Sequence, residues 1–535
     1  MPCEKISVNT VFESGKTYLC EEKRIDFRIE NSTLVDSYEF PAVRTAYLIE
    51  NLCDVTLDFC GATLCMRGDI QPFTLIDCKN VTIKNVVVEN ERSHYTEGTV
   101  VSWRPGQYRI RMNEKYPFDV ADGNLIVYGD GWRNDNIEKH PFMFMQFFDG
   151  KTRKGTGYTP LVNIGKTIPD YDKKHFFARH LTASKKGSDL ILRGGLWMRR
   201  QKRGTHVVLE HETRKTGTLV ACRCDDLTLE NFRIVNGSGM GIVPLCCHNV
   251  TLNKLLFTYD EKSHGFVSNA ADGLHTFACS GSLIMNDCIF EGMIDDALNI
   301  HGNYFLLQKT DGDSVFVKIG SLAFSDDNGP ISHTYYFPLR EGDGITVNRG
   351  KTMDVRDRYT IKKIFMLTPG TYKLKLDRPV TGEKGDLIED ISAQVDLTMK
   401  NCVFGKTNTH LRFQTRGKVL IENCVSELPF WLTGDTTYWY ESSPCTDFTV
   451  RNCRFVGKHV RIHCCPEVAP TRSAPYYHKN ITVENCSFDD KIIFDGRFAD
   501  NVVFRNNTYS FRGKPLVIAK KCGKIEADDA TIVRG

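Results

Sequence analysis

The sequence predicts an all-β chain, a right-handed parallel β-helix carrying two inserted small β-barrel-like modules. Three observations predict it: a short motif that recurs along the chain, the intervals between its copies, and two long stretches where it is missing. The motif is apolar-Thr-apolar-x-Asn followed by an apolar residue or Cys, as in VTIKNV (81–86), LTLENF (227–232), FTVRNC (448–453) and ITVENC (481–486). LIMNDC (283–288), LTMKNC (397–402), VLIENC (419–424) and VVFRNN (502–507) are variants. Apolar residues alternating over so few positions fit a short strand, and a closing Asn or Asp tolerates the left-handed backbone of a tight corner.

The intervals set the architecture. Asn401 to Asn423 and Asn485 to Asn507 are each 22 residues, Asn423 to Asn452 is 29, and Leu255 to Cys288 is 33. A base period near 22, lengthened by loops, is a coil repeat. Without the helical stripe of a leucine-rich horseshoe, it reads as a β-helix whose coils stack about 4.8 Å apart. Equivalent side chains then form ladders. Cys288, Cys402, Cys424, Cys453 and Cys486 fall on one of them, as small buried thiols do. The sequons at Asn80, Asn249 and Asn480 belong to the same turns.

Taken in order, the chain divides into N-terminal coils (1–94), a first module (95–215), coils bearing the candidate site (216–302), a second module (303–393) and C-terminal coils (394–535). The modules show hairpin patterning instead of the repeat. Turn signals stand at 128–131, 311–313 and 342–344, and VFVKI, GITVN, YTIKKIFML and YKLKLD alternate as half-buried antiparallel strands do. The Asp-Gly pairs are turns, since no complete calcium-loop pattern follows them.

Composition narrows the function. The chain has 535 residues, 25% charged and 41% hydrophobic, with a formal net charge of +3, which gives no broad attraction to nucleic acid. Its two dense basic runs, 151–154 and 199–203, lack interleaved aromatics and read as solvated loops. No stretch approaches the roughly 18 apolar residues of a membrane span. The start, Met-Pro-Cys-Glu-Lys-Ile-Ser, lacks the pattern of a secretory leader, so the chain as written is expected to be cytoplasmic, and exported if its N-terminus was trimmed. The twenty cysteines fit reduced, buried thiols; no pair repeats at zinc spacing, so neither metal nor cofactor is expected. The broad flanks of a β-helix allow a homodimer.

The chemistry centres on three carboxylates in ADGLHTFACSGSLIMNDCIFEGMIDDALNIHG (271–302). Asp272 and Asp295 are 23 positions apart, one coil, so Asp272 and the doublet Asp295-Asp296 are expected on neighbouring coils, one above the other. Carboxylates about 5 Å apart repel unless one keeps a proton. A protonated acid beside an ionised one is the equipment of glycoside cleavage. Neighbouring residues Asp295 and Asp296 share one cleft only at a strand end or bulge. The alternative is that Asp272 and Asp295 are ordinary turn residues. His275 and His301 are weaker catalytic candidates than the aspartates, since a strand histidine is more often a hydrogen-bonded wall residue; His301 is kept as a candidate sugar-binding group. Two coils further on, Phe430-Trp431 through Asp435 and Tyr438-Trp439-Tyr440-Glu441 offer an aromatic platform beside acceptors, which suits a sugar or simply a packed loop.

With these residues the sequence resembles glycoside hydrolase family 110, the β-helical exo-α-1,3-galactosidases. The likeness rests on A-D-G-L-H-T-F with Asp272, on D-D-A-L-N-I-H-G at 295–302 and on their one-coil spacing. F-Q-T-R-G-K-V-L-I-E-N-C at 413–424, W-Y-E-S-S at 439–443 and the two insertions support it. The three aspartates also resemble those of β-helical polygalacturonases. The resemblance implies removal of terminal α-1,3-linked galactose from a glycan, with inversion and without metal or cofactor, Asp272, Asp295 and Asp296 sharing the acid and base duties. The candidate substrate-binding residues are His301, Asn299, Trp439, Glu441 and Arg412. Spacing alone points the other way on stereochemistry, because carboxylates about 5 Å apart fit retention. Two other readings stay open: an endo-hydrolase or lyase of a polysaccharide, and a noncatalytic carbohydrate-binding β-helix.

Overall fold

The computed structural model describes residues 4–35, 42–134, 144–160, 162–165, 179–211, 216–259, 265–319, 338–368, 370–436 and 439–535. Among them the only helical element is the single turn Ile29–Asn31, and no helix is long and apolar enough to cross a membrane.

All eight copies of the motif lie in one parallel sheet. Lys79–Asn90, Asp225–Ile234, His248–Phe257, Ser280–Asn286, Val395–Lys400, Val419–Glu422, Phe448–Arg451, His478–Glu484 and Ala499–Arg505 pair each upon the next. The motif threonines Thr82, Thr228, Thr398, Thr449 and Thr482 share one row of that register. A second parallel sheet includes Met240–Leu245, Leu274–Phe277, Leu298–Asp311, Leu411–Phe413, Phe430–Leu432, Ile462–Cys464 and Ile492–Arg497. Alternate residues of both sheets point inward and form one core running from Ile6 to Ile525. Aromatic rungs rise through it, Phe257 on Phe290 on Phe404, with centroids 5.0 and 5.3 Å apart.

The cysteine ladder forms as expected. The backbone N–H of Cys402 donates to Cys424 Sγ at 3.3 Å, that of Cys424 to Cys453 Sγ at 3.3 Å, and that of Cys453 to Cys486 Sγ at 3.4 Å. Every described cysteine is a free thiol. The corners also behave as the motif requires: Asn85, Asn231, Asp287, Asn401, Asn423, Asn452 and Asn485 have φ between 49° and 56°. Two details are corrected. The last interval is 21 residues, since Glu484 pairs with Arg505; Asn506 takes the corner (φ 55°), while Asn507 takes the cysteine's place and accepts the Cys486 N–H at 2.8 Å. The sequon residues Asn80, Asn249 and Asn480 (φ 52°, 58° and 53°) occupy the preceding corner instead, where each strand begins.

The two interruptions of the repeat are antiparallel structures. In the first, Gly155–Pro160, Phe144–Phe148, His206–Glu210, Tyr95–Arg104, Gln107–Met112, Asp189–Arg193, Arg179–Lys186 and Val162–Ile164 form an eight-stranded sheet in that order, antiparallel but for its last pair. It shares a core with the three-stranded sheet Phe118–Ala121, Asn124–Gly129 and Trp132–Asn134. In the second, Leu298–Asp311, Ser314–Ile319, Thr371–Leu376, Val355–Thr368, Gly344–Asn348 and Leu387–Asp390 pair in turn and close on the first strand as a six-stranded barrel. Leu298–Asp311 belongs to both parts. Residues 298–300 pair with Leu411–Phe413 of the next coil, and residues 304–311 with strands of the barrel. This continuity ties the barrel to the coil that bears the aspartate doublet.

Candidate active site

Asp272 and the doublet lie just before two neighbouring strands of the second sheet. Leu274 pairs with Leu298, and the Gly273 N–H donates to the Asp296 carbonyl at 2.9 Å. The offset between the coils is therefore 24, and Asp296, not Asp295, stands above Asp272. Asp295 is half-buried one place earlier, its Oδ1 accepting the Asp296 N–H at 3.0 Å. The doublet occupies a strand end, where neighbouring side chains escape strict alternation.

The next coil supplies the charge balance. Thr409 Oγ1 donates to Asp296 Oδ1 at 2.9 Å and His410 Nε2 lies 3.0 Å from the same oxygen, while Arg412 Nη1 is 3.7 Å from Oδ2. Burial alone would raise the Asp296 pKa, but His410 and Arg412 hold it below the usual carboxylate range. Arg412 Nη2 also reaches Glu441 Oε2 at 3.2 Å, where Gln414 Nε2 donates at 2.9 Å; Asn299 Nδ2 donates to Oε1 at 3.1 Å. Against the cost of burial, Arg412 above all keeps Glu441 ionised well below the ordinary glutamate value. Two buried carboxylates thus share one half-buried arginine.

Beneath them a histidine pair leads to Asp272. His275 Nδ1 is 2.7 Å from Asp272 Oδ2, and the two Nε2 atoms of His275 and His301 are 2.8 Å apart. Burial pushes His301 down to about 4. Above them, His410 stacks on Trp431, centroids 3.8 Å apart at 12°.

The structure therefore brings together Asp272, Asp295, Asp296, Asn299, His301, Arg412 and Glu441. Trp439 is held by its backbone, its N–H donating to Asp435 Oδ2 at 2.8 Å; the ring against the site's histidine is that of Trp431. Tyr438 lies outside the described residues. Sequence reasoning missed Thr409, His410 and Gln414. The signal was the alternation H-L-R-F-Q at 410–414, polar residues at every second position of a coil strand. Among the described residues no three His, Cys, Asp or Glu side chains converge as metal ligands.

Both insertions brace these coils. Gln146 of the first donates to the Ile294 carbonyl at 2.6 Å and accepts from Asn408 at 3.2 Å, immediately before Asp295 and Thr409. On the barrel side, Arg416 grips the buried Glu389 at 3.0 and 2.7 Å. Residues 302 and 303 pair with Ser442 and Glu441.

No family model matches the chain. It is 27% identical to α-1,3-galactosidase B of Bacteroides thetaiotaomicron over 529 residues, 92% of this chain and 82% of that protein. It is 22% identical to α-1,3-galactosidase A of Bacteroides fragilis over 510 residues, 91% of this chain and 78% of that protein. A solved glycoside hydrolase aligns over 90% of this chain and 88% of its own at 9% identity, with a TM-score of 0.24, too low to add to the fold. The resemblance to glycoside hydrolase family 110 is borne out, and the chain is a relative of the α-1,3-galactosidases over nearly its whole length.

Proposed function

We propose that the protein is an exo-acting α-1,3-galactosidase that releases terminal galactose, with inversion, from blood group B-type or linear glycans. The observation that carries this reading is the likeness to α-1,3-galactosidases over about nine-tenths of the chain; the stacked aspartates supply its chemistry. Asp296, kept ionised by His410 and Arg412, is the base that draws a proton from the attacking water. Asp295 or Asp272 gives a proton to the leaving oxygen. Water entering between base and acid accounts for inversion despite coils stacked at strand spacing. Glu441, with Arg412, Asn299 and Gln414 around it, offers a fixed set of acceptors and donors for sugar hydroxyls.

The test is release of free galactose from α-1,3-galactosyl oligosaccharides with and without a fucose branch, the anomer followed by NMR. Wild type should release β-galactose first. Asp296→Asn should lose at least a hundredfold in kcat, as loss of a general base does. Comparing Asp295→Asn with Asp272→Asn on a substrate with a good leaving group identifies the acid, whose variant alone regains activity. No galactose from any substrate, with folded protein, would sink the reading.

A further inference from the structure

Three hydrogen bonds run in line from the backbone to Asp272. His301 Nδ1 lies 2.6 Å from the Gly302 carbonyl oxygen, His301 Nε2 lies 2.8 Å from His275 Nε2, and His275 Nδ1 lies 2.7 Å from Asp272 Oδ2. The two rings stand at 89° with centroids 4.8 Å apart, so they meet nitrogen to nitrogen and do not stack. All three residues are at most 7% exposed.

The protons on this line can be counted. A carbonyl oxygen only accepts, so the first link requires a proton on His301 Nδ1. Burial holds His301 down to about 4, and a neutral ring with Nδ1–H presents a lone pair at Nε2. The second link therefore requires the proton on His275 Nε2. A neutral His275 then has only a lone pair at Nδ1, facing a carboxylate oxygen that also has only lone pairs. At 2.7 Å that arrangement repels. The third link needs one further proton, on Nδ1 or on Oδ2.

We propose that His275 and His301 are positioning residues that keep this proton on the Asp272–His275 pair at neutral pH, so that the pair as a unit carries no net charge. The Gly302 carbonyl fixes the tautomer of His301, and His301 in turn fixes that of His275. Asp272 can then lie directly under the ionised Asp296 without like-charge repulsion, while His410 and Arg412 balance Asp296 from the other side. The groups facing the pair are Asp295 and Asp296 from the next coil, Arg412 from the one beyond it, and Glu441, whose Oε1 is 3.8 Å from His301 Nε2. Three links need three protons by geometry alone, and the burial of His301, which keeps its ring neutral, puts the third on the Asp272–His275 pair; only its use in catalysis rests on the galactosidase reading.

The experiment is NMR of the full chain labelled at histidine ring nitrogens and aspartate side-chain carbons, with His275→Gln and His301→Gln assigning the ring signals and Asp272→Asn the carboxyl signal. Near pH 7, wild type should show His301 protonated at Nδ1 only. It should also show either His275 protonated on both nitrogens or Asp272 with the shift of a protonated carboxyl. In Asp272→Asn, the side-chain amide donates to Nδ1 itself, so His275 should carry a single proton, at Nε2. An ionised Asp272 beside a singly protonated His275, or a His301 protonated at Nε2, would overturn the proposal. So would a His275 that stays doubly protonated in Asp272→Asn. The measurement needs no substrate, so a protein without galactosidase activity would refute the function proposed above and leave this assignment to its own result.

Discussion

At the scale of single residues, Arg412 is the hinge of the electrostatics. It lies between Asp296 and Glu441, both buried, and its own pKa is raised by them despite the cost of its burial. Removing one partner of such a group leaves buried charge uncompensated, a loss of about 3–5 kcal/mol. Arg412→Met should therefore unfold at markedly lower urea concentration than wild type, and the acid limb of its pH–rate profile should move to higher pH as Asp296 loses a stabilising cation. Arg412→Lys should recover part of the stability, because one ammonium cannot serve both carboxylates as a fork does. An unchanged acid limb in Arg412→Met would mean that His410 alone holds Asp296 ionised. Of this cluster the sequence showed the aspartates through their spacing. It hid Thr409 and His410, because 113 residues separate Thr409 from Asp296 and the barrel lies between. Only the coil register makes them neighbours.

At the scale of elements, what matters is how closely two coils approach where the aspartates stack. Gly273 follows Asp272, and a Cβ there would stand 2.7 Å from the Ala297 carbonyl oxygen and 2.8 Å from Phe290 Cδ1. Backbone on one side and a packed ring on the other cannot give way. Gly273→Ala should cost about 1–3 kcal/mol by overpacking and should lower kcat more than this loss explains, since the clash opens the spacing between Asp272 and Asp296. Paired measurements of urea midpoint and kcat check this; full activity with the stability loss would mean that the stacking does not matter to the reaction. The elements themselves were largely legible. Every motif copy became a strand of the same sheet, and the corners took the left-handed backbone that Asn and Asp tolerate. The register was less so: with Asn506 and Asn507 adjacent, a period of 21 and one of 22 look alike in sequence. The same one-residue ambiguity hid which aspartate of the doublet stands over Asp272, a choice made by hydrogen bonds from Gly273 and Leu274 to the next coil.

At the scale of the whole molecule, the two insertions were visible as breaks in a repeat, but the barrel's closure was not, because its closing pair joins residues 304–306 to 387–389 across the rest of the module. The assembled chain buries ionisable groups whose combined titration sets its response to acid. Burial lowers the pKa of His211, His301, His463 and His478, that of His301 to about 4 and that of His478 to about 3. The His478 Nδ1 accepts the Cys445 N–H at 3.1 Å, a bond that protonation of Nδ1 would break. Each of these groups binds a proton more readily in the unfolded chain than in the folded one. Between about pH 6.5 and pH 4 they therefore favour unfolding increasingly as pH falls. Asp390 and Asp343 act in the opposite sense, since burial raises both, Asp390 to about 7. Four histidines against two aspartates leave a net destabilisation on acidification, about 1.4 kcal/mol per pH unit for each net proton. Below about pH 4.5 the depressed carboxylates Glu441 and Asp296 add to it, because their stabilising contribution is present above the unfolded value and lost as pH falls through the folded one. The melting temperature should thus fall steadily from pH 7 to pH 4.5. His478→Gln, which keeps an acceptor for Cys445 but cannot titrate, should flatten that slope by one proton's worth whatever its cost at pH 7. A melting temperature that holds or rises on acidification, or a slope unchanged in His478→Gln, would show that these histidines are already protonated in the folded chain.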